Sequence, residues 1–417
     1  MVHKDVFDNG VRVVTEKMSS VRSVSIGVWV NVGSRDEEPG EEGFSHFIEH
    51  MVFKGTRRRS AEAISREIDG MGGELNAFTS RECTTFYAKM LDESLEQGID
   101  LLADIFHHSL FDAKELTKEK RVILEEIRMV EDDPEDYLHD LHTKKVFRRH
   151  PLGRPILGEV ATITALRRAQ LLSYRSRYYR PTEVVIAVAG NFSHGRLLKR
   201  LSSAFGGEWG EPTPSVNRIP PVIEAGVYVR AKQLEQAHLC VGMKGVSHMD
   251  KDRYGVYALN AILGGGVSSR LFQEIREKRG LAYAIYSSPQ CFTDSGLFIV
   301  YAGARAEMAP RVLGVVLTEV KRLKESPVGR AELERAKNQL KGNLMLGLES
   351  TSSRMSHAAK DEMHFGRAIS VKETMADIDK VSVDQLWRLS QDLFDERYLS
   401  VTALGPLKKG ALEGVFQ

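Results

Sequence analysis

Residues 43–56, GFSHFIEHMVFKGT, form the stretch around which the rest of the chain is organised. If this stretch is helical, His46 and His50 lie one turn apart on one face, so both imidazoles can bind a single metal ion. Glu49 then lies about 60° round the helix from His46, within reach of a water molecule on that ion. The other positions are mostly apolar, which predicts a buried helix, and buried polar groups are costly without partners. The pattern therefore predicts a buried, metal-binding helix.

The alternative is an ordinary packed helix, because the H-x-x-E-H pattern arises by chance in roughly a few per cent of chains of this size. A third ligand would favour the metal, since catalytic zinc takes three protein ligands and keeps one position for water. Glu126 follows His50 by 76 residues, and Glu119 lies seven residues before it in the same helical, carboxylate-rich run. Two helical turns place both glutamates on one face. By spacing alone, a solvated charged face is favoured for them by about two to one.

This motif and its spacing resemble the M16 (pitrilysin, or inverzincin) family of zinc peptidases. Residues 75–82 (LNAFTSRE) and 122–126 (VILEE) resemble the same family. These stretches are close to the β subunit of mitochondrial processing peptidase and its bacterial relatives. The resemblance extends over nearly the whole chain and implies a zinc-dependent metalloendopeptidase that hydrolyses unfolded peptides or presequence-like segments.

The resemblance also implies specific roles for the residues of the motif. One zinc ion per chain would be bound by His46, His50 and Glu126. Glu49 would activate the attacking water as general base. Glu119 would not bind the metal itself but would orient the residues that do.

Two further site residues, Arg276 and Tyr283, follow from the same resemblance. In the family this pair holds the substrate backbone and the oxyanion that forms during attack, for which a cation and a phenol are good donors. From the residues alone, a basic helix end that complements the helix dipole is favoured by about three to one.

Residues 74–80 (ELNAFTS) resemble the strand on which the family docks its substrates. A peptide that adds to an exposed strand edge gains main-chain hydrogen bonds whatever its sequence. Asn76 and Ala77 are the expected contacts. The alternative is an interior strand of the sheet, because sequence alone does not show which strand lies at an edge.

The composition excludes several classes of protein. The chain has 417 residues, of which 42% are hydrophobic and 28% charged, and its net charge of +1 favours neither nucleic acid nor an acidic membrane surface. No apolar run is long enough to span a membrane. The three cysteines are far apart and form no disulfide framework. The chain opens on a hairpin pattern with an Asn-Gly turn, which leaves no room for a targeting peptide, so we expect a bacterial cytoplasmic protein.

The chain also repeats itself at half its length. Residues 24–34 (VSIGVWVNVGS) alternate as a half-buried strand does, and residues 237–247 (AHLCVGMKGVS) match them. Such a period indicates a duplicated domain. The second copy has no H-x-x-E-H motif. We expect an α+β fold with two similar domains, each a mainly antiparallel sheet with helices packed on one face. The expected limits are residues 1–207 for the zinc-binding catalytic domain, 208–222 for a Gly- and Pro-rich linker, and 223–417 for a non-metal domain that contributes Arg276 and Tyr283.

The resemblance finally implies an assembly. Family members enclose a peptide in a clamshell of four such domains, and this chain supplies two, which predicts a dimer. Because this chain carries both the metal motif and the Arg/Tyr pair, a homodimer is favoured over a heterodimer. The alternatives are the catalytic subunit of a heterodimeric processing peptidase, a non-catalytic scaffold of the same fold, and a metal- or peptide-binding module without turnover.

Overall fold

The computed structural model describes residues 2–209, 217–408 and 410–416. Within these ranges no helix is both long and apolar enough to cross a lipid bilayer. The chain forms two compact units, each built from three segments. The first unit comprises Met1–Met129, Arg154–Arg218 and Gly347–Ile369; the second comprises Val130–Gly153, Ile219–Leu346 and Ser370–Gln417.

The first unit is built on a six-stranded mixed sheet with the order β1-β2-β6-β3-β5-β4. The β2–β6 pair is parallel and the other pairs are antiparallel. The expected Asn-Gly turn joins β1 to β2. The strands are β1 (Val2–Val6), β2 (Arg12–Lys17), β3 (Ser23–Val30), β4 (Glu74–Thr79), β5 (Thr84–Leu91) and β6 (Val184–Gly190).

The second unit repeats this plan with a five-stranded sheet of the order β7-β11-β8-β10-β9. Its β11–β7 pair is parallel and its other pairs are antiparallel. The strands are β7 (Gly226–Ala231), β8 (Ala237–Lys244), β9 (Ala282–Cys291), β10 (Gly296–Ala304) and β11 (Ser400–Gly405).

Four of the helices begin at a residue whose side chain caps them. Asp133 caps one helix and is followed by Pro134 at its first position, and Ser60, Ser370 and Ser382 cap three others. The helices are α1 (Phe44–Val52), α2 (Ala61–Gly70), α3 (Leu95–His108), α4 (Ala113–Asp132), α5 (Pro134–Val146), α6 (Val160–Ala165), α7 (Arg168–Tyr178), α8 (His194–Phe205), α9 (Arg253–Leu263), α10 (Ala309–Glu325), α11 (Arg330–Gly347), α12 (Thr351–Phe365), α13 (Val371–Lys380) and α14 (Val383–Leu393).

The two-domain α+β fold predicted from the sequence is confirmed. Helices were expected on one face of each sheet, but in each unit a further helix covers the opposite face. Helices α1, α3, α7 and α8 cover one face of the first sheet, and α12 covers the opposite face through Met355, Ala358 and Ala359. In the second unit α9, α10 and α14 cover one face and α5 the other. The strand expected to be half-buried, β3, is therefore buried along nearly its whole length, because helices cover both of its faces.

Each half of the chain thus contributes one helix to the unit formed mainly by the other half. Helix α5 belongs to the second unit and α12 to the first. The limits 1–207 and 223–417 remain a prediction for the two duplicated halves. The compact units do not follow these limits, because each unit contains a segment from the other half. The units change over after Arg218, inside the expected linker, of which residues 210–216 lie outside the described ranges.

The duplication is visible at a pair of glycines that end equivalent strands. Gly190 ends β6 with φ of 137°, and Gly405 ends β11 with φ of 143°. A Cβ on Gly190 would lie 2.4 Å from the carbonyl oxygen of Ser23, and one on Gly405 would lie 2.7 Å from that of Gln236. Only glycine fits such a close approach at positive φ. Both units therefore depend on the same local constraint.

Candidate metal centre

The helix predicted around the H-x-x-E-H motif is α1, and its apolar positions anchor it in the core of the first unit. Gly43 precedes it with φ of 93°, which turns the chain into the helix. Phe44, Phe47 and Met51 are at most 1% exposed. The opposite face presents the two histidines, and the centroids of their rings lie 4.6 Å apart. The packing of the apolar face thus fixes where the imidazoles lie.

Helix α4 brings Glu126 to this imidazole pair. Its Oε2 atom lies 3.5 Å from Nε2 of His50 and 3.8 Å from Nε2 of His46. These distances are too long for good hydrogen bonds, but two ligands on a tetrahedral zinc ion are about 3.4 Å apart. Glu126 Oε2 and His46 Nδ1 are both buried and have no hydrogen-bond partner among the described residues. The geometry and the N₂O donor set therefore fit a divalent metal ion.

Glu119 lies behind His50, on the side away from Glu126. Its Oε2 atom is 3.0 Å from Nδ1 of His50, and its Oε1 atom is 2.8 Å from the ammonium of Lys54. An imidazole that donates Nδ1–H to a carboxylate presents Nε2 as the free ligand atom. Lys54 balances the charge of Glu119. The carboxylate thus selects the tautomer of His50 that directs Nε2 towards Glu126.

Glu49 lies beside the candidate metal ligands on α1, and its side chain is held by the sheet. The hydroxyl of Thr79, the last residue of β4, donates a hydrogen bond of 2.5 Å to Glu49 Oε2. Burial raises the pKa of Glu49, an effect that the Thr79 hydrogen bond partly offsets. A carboxylate with a raised pKa and a fixed orientation is suited to accept and return a proton.

The two histidines differ in their electrostatic surroundings. Burial, together with the neighbouring His50, lowers the pKa of His46 to about 3, so His46 is neutral and able to bind a metal. Burial alone would also lower the pKa of His50. The hydrogen bond to Glu119 and the charges of Glu126 and Glu49 outweigh it and raise that pKa. The carboxylates around His50 therefore favour positive charge at the site, whether as a proton or as a metal ion.

A buried carboxylate that the sequence analysis did not identify caps α1. Glu37 Oε2 accepts the backbone N–H of Gly43 at 2.9 Å, and Oε1 accepts that of Ser45 at 2.8 Å. Glu37 is 3% exposed, and burial raises its pKa to about 8 against these hydrogen bonds. The first turn of α1 is thus held one residue before His46.

The predicted docking strand, β4, lies at an edge of its sheet, which the sequence could not establish. Ser80 donates its N–H to the carbonyl of Cys83, which immediately precedes the neighbouring strand β5, so by alternation the N–H of Ala77 points to the open side. The side chain of Asn76 accepts this N–H at 2.8 Å. The backbone of Ala77 therefore lies where an added strand would pair, and the side chain of Asn76 lies beside it.

Arg276 and Tyr283 belong to the second unit and lie next to each other there. The guanidinium of Arg276 is 4.6 Å from the centre of the Tyr283 ring and 4.8 Å from that of Phe272. Arg276 is in a π-helix, Phe272–Glu277, a form often found at functional sites. The Tyr283 side chain is 77% exposed. The predicted site residues thus fall into three groups. Five lie on or against α1 (His46, Glu49, His50, Glu119 and Glu126), Asn76 and Ala77 lie on β4, and Arg276 and Tyr283 form a separate pair.

Three residues that support the site were not identified from the sequence. Lys54 follows His50 by four residues, and this helical spacing could have indicated it. Thr79 and Glu37 gave no local signal, because their contacts with Glu49 and with the start of α1 depend on tertiary packing.

Comparison with protein families gives two matches. The model for insulinase (peptidase family M16) matches residues 12–160, and that for the peptidase M16 inactive domain matches residues 165–340. An uncharacterized zinc protease of Bacillus subtilis, YmxG, is 42% identical over 95% of this chain and 97% of its own length. An uncharacterized zinc protease of Streptomyces coelicolor is 41% identical over 98% of this chain and 90% of its own.

Solved structures share the fold. A protease from Helicobacter pylori superposes with a TM-score of 0.91 at 22% identity, over 97% of this chain and 99% of that chain. A peptidase M16 inactive domain from Pseudomonas fluorescens superposes with a TM-score of 0.89 at 21% identity, over 97% and 98% of the two chains. At these identities the likeness concerns the fold alone.

We predict that Glu119→Gln weakens zinc binding by roughly 10–100-fold, because His50 loses the carboxylate that orients it. Zinc affinity is measured by competition with a chromogenic chelator. Glu125→Gln is the matched control, since this neighbouring glutamate of α4 is exposed and pairs with Arg128. Equal zinc affinity of the Glu119 variant and the control would contradict the orienting role.

We predict that Glu37 makes the protein less stable as the pH rises. Its pKa is about 8 in the folded protein against an ordinary value of 4.5, so its favourable contribution is complete below about pH 4.5 and is lost as the pH rises to 8. Relative to wild type, Glu37→Gln should gain roughly 2–4 kcal/mol in unfolding free energy between about pH 5 and pH 8, at about 1.4 kcal/mol per pKa unit.

Urea unfolding at the two pH values measures this difference. Glu38→Gln is the control, because Glu38 is exposed and adjacent. If the wild type and Glu37→Gln show parallel pH dependence, Glu37 is not the titrating group.

Proposed function

We propose that this chain, which belongs to the insulinase (M16) family of peptidases, is a zinc-dependent endopeptidase that hydrolyses extended, unfolded peptides. One observation carries the proposal: ligand atoms of His46, His50 and Glu126 lie within 4.8 Å of one another. The carboxylate of Glu49, on the same helix as the two histidines, lies beside them. The relatives are named zinc proteases. We propose one zinc ion per chain at these three residues.

The chain's own residues provide the proton transfers. A bound zinc ion would supply Lewis acidity, which polarises a peptide carbonyl and acidifies water. Glu49 accepts the proton of the attacking water and returns it to the departing amine. The hydroxyl of Thr79 holds the Glu49 carboxylate, and Glu119 holds His50.

The open edge of β4 would position the peptide. An extended substrate pairs with the outward N–H and C=O groups at Ala77, and the side chain of Asn76 releases that N–H when the substrate takes its place. Main-chain pairing does not depend on side chains, which suits an enzyme for unfolded peptides or presequence-like segments. Because β4 ends at Thr79, pairing along this edge leads the peptide towards Glu49.

Arg276 and Tyr283 are proposed to contact the substrate backbone and the developing oxyanion. Their stacking supports the proposal, since it holds two strong donors together, and the Tyr283 side chain is exposed. The family resemblance supports a homodimer in the cytoplasm of a bacterium, with a heterodimeric processing peptidase as the alternative. A non-catalytic scaffold is disfavoured, because Glu49 and the three ligands are all present.

We predict chelator-sensitive cleavage of unfolded peptides that Glu49→Gln lowers by roughly 10²–10⁴-fold, the usual contribution of a general base. Zinc affinity should stay close to that of wild type, because Glu49 is not a ligand. Mass spectrometry of a peptide mixture reads the cleavage, and Glu125→Gln is the control. No cleavage by folded, zinc-loaded protein would contradict a self-sufficient enzyme and favour the heterodimer.

We predict that Ala77→Pro raises KM for peptides by about tenfold or more, because it removes one N–H and disturbs neighbouring pairing at the open edge. Proline is tolerated on an edge strand where its N–H faces outward. Ala77→Ser keeps the N–H and is the control. Steady-state kinetics separate KM from kcat, and an unchanged KM in the proline variant would exclude docking on β4.

A further inference from the structure

The second unit has an open sheet edge of its own, at β7. Strand β7 pairs only with β11 among the described strands. Gly226 and Lys232 donate their N–H groups to the side of β11, at Leu399 and Gly405. By the two-residue period of a strand, Val227 and Val229 therefore direct their N–H and C=O groups away from β11. These groups have no partner strand in the described ranges.

The first unit shows what covers the equivalent edge. Its β2 pairs in parallel with β6, and Met18 donates to Gly190 as Lys232 donates to Gly405. Strand β2 is thus the counterpart of β7. The outer side of β2 is covered by β1, a five-residue strand that runs antiparallel to it. The described part of the second unit contains no counterpart of β1, so the duplicated plan leaves one strand position unfilled.

An open groove of about 600 Å³ lies along this position, within the range of roughly 300–1,000 Å³ that is typical of ligand sites. Its lining includes every residue from Val227 to Ala231, together with residues from both faces of the sheet. Lining from both faces places the groove at the edge of the sheet. Leu141 and Lys145 of α5 border one side, and Leu407 and Leu412 border the other.

The two walls of the groove differ in chemistry. On the α5 side, the Lys145 ammonium lies 5.2 Å from the centre of the Tyr228 ring, and the Arg230 guanidinium lies 5.1 Å from that of Tyr137. This wall is basic and aromatic. On the opposite side Val229 packs against the core that contains Leu407 and Leu412, so this wall is apolar. A strand seated here would direct alternate side chains to the two walls.

We propose that β7 is a docking site for an extended segment of a partner protein in which acidic and apolar residues alternate. The segment adds antiparallel to β7, as β1 adds to β2. Its acidic side chains meet Lys145 and Arg230, and its apolar side chains meet Val227 and Val229. The inference is independent of the proposed peptidase activity, because it uses no residue of the metal centre.

The charges of the groove disfavour a second copy of this chain as the occupant. Two β7 strands that pair about a twofold axis would bring two basic walls onto the same face of the joined sheet, and like charges side by side are unfavourable. A strand with acidic side chains removes this repulsion. The charges of the groove therefore select a partner of opposite sign.

Binding is tested on the full chain carrying Glu49→Gln, which keeps the probe intact. The probe is a fluorescein-labelled Val-Glu-Val-Glu-Val-Glu-Val peptide, read by anisotropy, and the comparison peptide has lysine in place of glutamate. Val227→Pro should weaken binding of the acidic probe by at least about tenfold, since it removes an outward N–H. Val227→Ala keeps that N–H and is the matched control.

The charge of the wall is tested in the same assay. Lys145→Glu combined with Arg230→Glu should lose the acidic probe and gain the lysine peptide, while Lys251→Glu, at an exposed site elsewhere in the unit, should change neither. Adding Ala77→Pro should leave binding intact, which separates this site from β4. Equal binding by Val227→Pro and Val227→Ala, or equal affinity for the two peptides, would overturn the proposal. So would a dimer that Val227→Pro converts to monomers.

Discussion

The candidate site depends on the orientation of α1, and a buried carboxylate fixes that orientation. Glu37 accepts two backbone N–H groups at the first turn of the helix, where these groups have no partner within the helix. The apolar face fixes the helix against the sheet, whereas the carboxylate fixes its start. Since His46 lies one residue after the capped Ser45, a shift at this cap would move the imidazole relative to Glu126 on α4.

Around that helix, each chemically active group is held by a second group from another element. Glu119 on α4 holds His50, and Thr79 on β4 holds Glu49. Such paired contacts restrict rotamers that would otherwise be free, which is the physical requirement for a preorganised site. The hydrogen bond of Thr79 also joins the proposed proton acceptor to the strand on which a peptide would pair, so substrate position and proton transfer share one support.

The sequence predicted the elements whose side-chain period is strong and local. The alternation of β3, the i, i+4 histidines of α1 and the two-turn spacing of Glu119 and Glu126 all depend on contacts within one element. The features that the sequence did not predict depend on how several elements are arranged in the fold. The edge position of β4, the Thr79–Glu49 contact and the exchange of α5 and α12 between the units require the tertiary fold. The full burial of β3 follows from that exchange.

The duplicated halves keep the same buried framework but differ at their surfaces. In the repeat register the position of Glu126 corresponds to Gly342 on α11, and the one candidate metal group of the described residues lies in the first unit. Open strand edges invite unwanted pairing, which proteins commonly limit with flanking charge. At β7, Lys145 and Arg230 provide that charge and by the same means favour an acidic strand. The same two charges therefore disfavour pairing of β7 with the β7 of a second copy and favour pairing with an acidic strand of a partner.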